Sequence, residues 1–248
     1  MICRSVVVGF SIVVFVSAVL LPVAACAQRP ADSTRMVDVM GTPARVLTIG
    51  LDEREEGRPV LFLHSGAGAP LETWGEWLSV IARLAPVVAY DRPGLGESPF
   101  DGELPTPERV AAHAHELMRV LGVDPPYVLV GHSWGGPMIL SYAGRYPDEV
   151  VGMVYLDPSE PDLTPWEYLG ASDAEEYASR LAEYDQFIAR LNLPPGMEAE
   201  RQAIATFEAS APTARGLPED PAVPTAVLLG TQVPSVPPGG PSYMNKDR

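Results

Sequence analysis

The stretch Tyr127-Val128-Leu129-Val130-Gly131-His132-Ser133-Trp134-Gly135-Gly136 decides how this chain folds. An apolar run rich in β-branched residues ends abruptly at a serine flanked by small residues. Such a run reads as a buried strand, and Met138 to Tyr146 behind it is compatible with a helix. The spacing is G-x-S-x-G, in which a sharp strand-to-helix turn presents the serine oxygen above a sheet. Gly131 and Gly135, two residues either side of Ser133, suit a turn that packs strand closely against helix.

Working outward, the same alternation repeats. Met36 to Met40 and Ala44 to Ile49 read as two short strands joined at Gly41-Thr42-Pro43. Pro59 to His64 reads as a buried strand opening into Ser65-Gly66-Ala67-Gly68. A helix is predicted from Glu72 to Leu84, with Trp74, Trp77, Leu78, Ile81 and Leu84 at helical spacing. Val87 to Asp91 is the next strand. Pro107 to Leu121 is a helix with Thr106 as N-cap and Pro107 at its first position, and Val151 to Asp157 is another strand. Strands alternating with helices predict an α/β fold, a mostly parallel sheet covered by helices on both faces. Ligands of such folds collect at the carboxyl ends of the strands, where His64, Asp91, Ser133 and Asp157 fall.

Residues 158 to about 221 are acidic and rich in Ala, Glu and Pro, with helical stretches from Ser172 to Leu191 and Gly196 to Ala209. They read as an insertion folded over the site, a cap, with Trp166 and Tyr168 as pocket-lining or packing residues. The sheet resumes at Val223 to Gly230.

The 248 residues carry a formal net charge of -15, from 17 basic and 32 acidic side chains, a field that argues against nucleic acid as a partner. No G-x-x-x-x-G-K-[ST] loop occurs and the only lysine is Lys246, which argues against nucleotide binding. No CxxC, HExxH or EF-hand pattern is present, so neither metal nor cofactor is expected.

The N-terminus reads separately. Arg4 is a short basic region, Val6 to Leu21 an apolar one, and Val23-Ala24-Ala25-Cys26 resembles a bacterial lipobox. This predicts a signal peptide over 1–25, lipidation of Cys26, a linker over 26–35 and a globular domain over 36–248. The corresponding expectation is a lipid-anchored protein of the bacterial cell envelope, with secretion as the alternative.

Taken in order, four segments resemble the α/β-hydrolase superfamily, in particular its serine esterase- and peptidase-like members. His64-Ser65-Gly66-Ala67-Gly68-Ala69-Pro70 looks like the HGGPG-type loop, with serine in place of the first glycine. Asp91-Arg92-Pro93-Gly94-Leu95-Gly96-Glu97-Ser98 looks like the D-R-x-G-x-G-x-S turn. Gly131 to Gly136 is the nucleophile elbow, and Arg145-Tyr146-Pro147-Asp148-Glu149-Val150 matches R-Y-P-D-x-V. The close match covers residues 59–160. The resemblance implies Ser133 as nucleophile on an ester, thioester or amide bond, forming an acyl-enzyme. It implies oxyanion donors at the backbone N–H of Trp134 and of Gly66, with His64 and Asp91 supporting the loops.

The acid and the base are less complete. The segment Thr231 to Ser235, one usual home of the acid, carries no carboxylate, and Asp157 at the end of the preceding strand is the candidate; its other reading is a turn-capping carboxylate. The base comes last in the family's chain order, yet His64, His113, His115 and His132 all precede Ser133. His132 is expected to point away from its neighbour, His113 and His115 to lie at a surface or interface, and His64 to shape the oxyanion loop. The expectation is a hydrolase chain shortened at its C-terminus, lacking a final strand, helix and histidine. The alternative is a non-catalytic envelope protein of the same fold.

Overall fold

The computed structural model describes residues 33–159, 171–210, 215–219 and 221–229. Its strands are β1 (Ser33–Val39), β2 (Thr42–Ile49), β3 (Val60–His64), β4 (Val87–Tyr90), β5 (Tyr127–His132), β6 (Val150–Leu156) and β7 (Thr225–Leu228). They form one sheet in the order β1-β2-β4-β3-β5-β6-β7. The β1–β2 and β2–β4 pairs are antiparallel; the remaining neighbours are parallel. The β1–β2 connection is tighter than the sequence suggests. Met40 and Gly41 both take positive φ (56° and 85°), forming a two-residue hairpin turn, while Thr42 and Pro43 already belong to β2.

Side-chain alternation along the strands divides the core into two layers. Phe62, Val88, Tyr90 and Leu129 face one side, where they pack with residues of the helices α2 (Pro107–Leu121) and α3 (Gly135–Arg145). Leu63, Val87, Ala89 and Val130 face the other, against Leu71, Trp74, Leu78 and Ile81. The sheet is thus covered on both faces, as the alternation of elements predicts. Helix α2 has the predicted bounds. Thr106 Oγ1 accepts a hydrogen bond from Arg109 N–H (3.4 Å), and Gly122 in the left-handed region closes its C-terminus.

The helix expected over Glu72–Leu84 is a correction. Leu71–Trp74 is a 3-10 turn ended by Gly75 at φ 44°, and the α-helix behind it, α1, spans only Trp77–Ile81. The break changes the helical phase, so Trp74 stays buried while Trp77 and Leu84 are 68% and 71% exposed.

Among the described residues between β6 and β7, two helices stand out, α4 (Ala174–Ala189) and α5 (Pro195–Ala209). Asp173 caps α4 by accepting from the N–H groups of Glu175 and Glu176. Ala203, Glu200 and Phe207 of α5 are buried, and Phe207 packs with Trp134, Val110 and Met138 in a third apolar cluster.

The expectation of a signal-bearing, lipid-anchored membrane protein is corrected here. No helix among the described residues is long and apolar enough to cross a membrane, and the structure lends the lipid-anchor reading no support. Cys26 and the apolar segment behind that reading lie outside the described residues, as do Trp166, Tyr168 and Thr231 to Ser235.

Candidate active site

The parallel register brings the strand ends to one level. His64 of β3 pairs with Gly131 of β5, and His132 of β5 pairs with Leu156 of β6. Ser133 and Asp157, each one residue further on, therefore leave adjacent strands side by side.

Ser133 has φ 48°, in the left-handed region that residues with a Cβ avoid. Backbone hydrogen bonds hold it there. Its N–H donates to Leu156 O (3.0 Å), and its carbonyl accepts from Gly136 N–H (2.9 Å) and Ser159 N–H (3.0 Å). The two small residues of the motif are required by close approach. A Cβ on Gly131 would lie 2.7 Å from Gly135 O, and one on Gly135 would lie 2.3 Å from His64 O. Left-handed backbone at a residue other than glycine costs about 1–3 kcal/mol and persists where surrounding structure over-determines it.

Gly66 lies against this serine. A Cβ on Gly66 would stand 3.2 Å from Ser133 Cβ and 2.9 Å from His132 Nδ1. Gly66 and Trp134 are both buried, and the backbone N–H of neither donates to another described residue. A buried N–H without an acceptor is rare in folded proteins. Arg92 fixes how the loop faces. Its Nη1 donates to Ser65 O (2.7 Å) and its Nη2 to Gly66 O (2.6 Å). Ser65 C=O and Gly66 N–H belong to one trans peptide plane, so holding the carbonyl toward Arg92 turns the N–H the opposite way.

Asp91, fully buried, organises the turn that carries Arg92. Its Oδ1 accepts from Leu71 N–H (2.7 Å) and its Oδ2 from Glu97 N–H (3.1 Å), with Arg45 Nη1 3.4 Å away. His64 is equally buried, with Nδ1 3.3 Å from Tyr90 Oη and its ring 4.6 Å from that of Phe62. Burial, and then the Arg92 charge, push its pKa down to about 3, so it is neutral at physiological pH. Asp157 follows β6 at φ 45°; it is exposed, and its N–H donates to Leu228 O (2.7 Å).

Among the described residues, no histidine hydrogen-bonds Ser133 Oγ. His115 stacks on Tyr146 (3.9 Å between ring centroids) and lies 3.2 Å from Glu149. His113 corrects the expectation of a surface or interface position. It is buried, stacks on Tyr90, and burial pushes its pKa down to about 4.

One participant escaped the sequence reading altogether. Glu200 of α5 is 1% exposed and pairs with Arg92, its Oε1 accepting from Nη2 (2.6 Å) and Nε (2.9 Å). Its other oxygen accepts from Gly68 N–H (2.5 Å). Its sole sequence signal is helical phase, since it shares a stripe with Ala203 and Phe207.

The chain's likenesses to known proteins agree with this architecture. A family model described as alpha/beta hydrolase fold matches residues 58–210. A proline iminopeptidase of Heyndrickxia coagulans is 27% identical over 183 residues, 64% of this chain and 62% of that one. A 2-hydroxy-6-oxo-6-(2'-aminophenyl)hexa-2,4-dienoic acid hydrolase of Metapseudomonas resinovorans is 30% identical over 125 residues, 49% of this chain and 41% of that one. The chain thus spans less than two thirds of the length of these relatives. Among solved structures, the epoxide hydrolase CorEH superimposes with a TM-score of 0.58 at 19% identity, covering 79% of this chain and 81% of that one.

Proposed function

This chain belongs to the alpha/beta hydrolase fold family, and from that premise we propose that it is a serine hydrolase acting on an ester, thioester or amide bond of a small molecule. The observation that carries the reading is the meeting of Ser133, strained at φ 48°, with two buried backbone N–H groups that have no acceptor among the described residues. Ser133 Oγ attacks the substrate carbonyl and its proton passes to a base. The carbonyl oxygen, now negative, takes the N–H groups of Gly66 and Trp134. The bond to the leaving group then breaks as that group receives the proton, and water releases the acyl group from Ser133. Asp157, beside Ser133 at the strand ends, is the acid that would orient the base, and the region of about 158–221 that holds α4 and α5 is a cap. A proline iminopeptidase among the relatives supports keeping amide and peptide bonds in the substrate class.

A second reading is favoured by one observation. No histidine among the described residues bonds Ser133 Oγ, which suits a non-catalytic protein of the same fold. Reaction with a fluorophosphonate probe separates the two. Labelling of the full chain that disappears in Ser133→Ala supports the hydrolase; no Ser133-dependent label supports the non-catalytic reading.

A further inference from the structure

The oxyanion loop is tied to α5 through a single buried carboxylate. Glu200 stands 108 residues from Arg92 in sequence, yet the two make a buried ion pair with side chains 2% exposed each. Burying two charges costs several kcal/mol per ion unless further hydrogen bonds complete the geometry. Here they do. The Arg92 guanidinium gives two further N–H groups to Ser65 O and Gly66 O, and Glu200 Oε2 takes Gly68 N–H. The pair therefore grips three successive parts of the loop, the carbonyls of 65 and 66 and the N–H of 68, from both sides. The surroundings leave no slack. A Cβ on Gly68 would meet Met197 Cε at 2.9 Å, and a Cβ on Gly94, two residues after Arg92, would meet Gly196 Cα at 2.5 Å.

We propose that Glu200 is a positioning residue for the oxyanion hole, acting through Arg92 and Gly68 to hold the Ser65–Gly66 peptide with its N–H toward Ser133. This rests on the serine-hydrolase reading for its catalytic consequence, though the mechanical link stands on contacts of its own. The reasoning follows the peptide plane. Arg92 sets the Ser65 carbonyl, and the trans peptide then sets the Gly66 N–H. Arg92 is itself aimed by the two bonds it gives to Glu200 Oε1. A cation on the carbonyl end also polarises the peptide, strengthening its N–H as a donor. Because Glu200 belongs to α5, the orientation of the oxyanion donor depends on α5 being seated.

The test compares the full chain with Glu200→Gln. The control is Glu198→Gln, half-buried, its side chain bonded among the described residues only to Arg201 and Gln202 of the same helix. A glutamine can present its one oxygen to Arg92 or to Gly68, not to both, so at least one donor is left without an acceptor. The first readout is hydrogen exchange in a peptide spanning residues 64–71. Loss of a charge-assisted bond is expected to speed exchange there about tenfold or more, with β3 and β5 unaffected. The second is the rate of fluorophosphonate labelling at Ser133. The maximal rate is expected to fall about tenfold or more while the half-saturating probe concentration stays within about twofold, the pattern of an interaction used in the transition state. Unchanged exchange in the loop overturns the proposal. So does faster exchange with an unchanged maximal rate in a chain whose Ser133 is labelled. If the unsubstituted chain takes no label, the hydrolase reading fails, and exchange alone decides whether Glu200 positions the loop. Should Glu200→Gln not fold, Glu200→Asp, too short to reach both partners, is read in the same two ways.

Discussion

Gly94 and Gly196 meet backbone to backbone. A Cβ built on Gly196 would lie 2.3 Å from both the Cα and the carbonyl oxygen of Gly94. This contact joins α5 to the loop after β4, next to the Arg92–Glu200 pair, and neither side can move without separating the helix from the sheet. Gly196→Ala is therefore expected to destabilise the fold by about 1–3 kcal/mol, the range for over-packing a well-packed contact. Urea unfolding checks it. A change below about 0.5 kcal/mol would mean that the contact is loose.

The strained turn at Ser133 makes a second expectation. Replacing a left-handed residue by glycine removes the clash of Cβ with its own backbone. Ser133→Gly is expected to stabilise the protein by about 1 kcal/mol while removing the group that a fluorophosphonate would label. Ser133→Ala keeps the Cβ and is expected to leave stability near that of the unsubstituted chain. Equal unfolding midpoints for the two variants would show that the turn stores no strain.

Gly96 tests the loop that Asp91 organises. It has φ 54°, and a Cβ there would fall 2.1 Å from Asp91 Oδ2. Gly102 has φ 86° with nothing within 4 Å, so Gly102→Ala reports the backbone cost alone. We expect about 1 kcal/mol for Gly102→Ala and about 3 kcal/mol or more for Gly96→Ala, from strain and over-packing together. Matching losses would argue that the carboxylate yields to the new methyl group.

Short apolar runs made the sheet legible, and helical spacing the longer helices. Unbroken runs of apolar residues marked β3 to β6, and the Thr106-Pro107 start placed α2, because both signals are local. The G-x-S-x-G spacing marked the tight turn at 133 and the close approach of Gly131 to Gly135 for the same reason. The helix after Leu71 was misread because its apolar spacing survives the kink at Gly75, which sequence spacing does not register. Glu200 was invisible for a different reason. In an acidic helix one glutamate resembles its neighbours, and only the tertiary approach of Arg92 distinguishes it. His113 likewise carries no local sign of the Tyr90 ring that stacks on it.

Acid stability follows from two buried histidines and one half-buried carboxyl whose effects oppose one another. Burial, with Arg92 adding to it, pushes His64 down to about 3. Burial pushes His113 down to about 4, with Arg109 adding and Asp101 opposing. Burial pushes Glu208 up to about 7 against the opposing charge of Arg215. Below a pH of about 6.5 the unfolded chain protonates both histidines and the fold does not, so each removes about 1.4 kcal/mol of stability per pH unit as pH falls. Glu208 has the reverse sign. Between pH of about 7 and about 4.5 the fold holds its proton and the unfolded chain does not, so stability rises at a similar slope as pH falls. Two histidines against one carboxyl leave a net loss of about 1.4 kcal/mol per unit between pH of about 6.5 and about 4.5. His113→Phe, which can keep the stack on Tyr90, is expected to bring that slope near zero, and Glu208→Gln to about double it. Urea midpoints at half-unit steps across this window give all three slopes, and a slope unchanged in His113→Phe would show that this histidine takes up its proton in the fold.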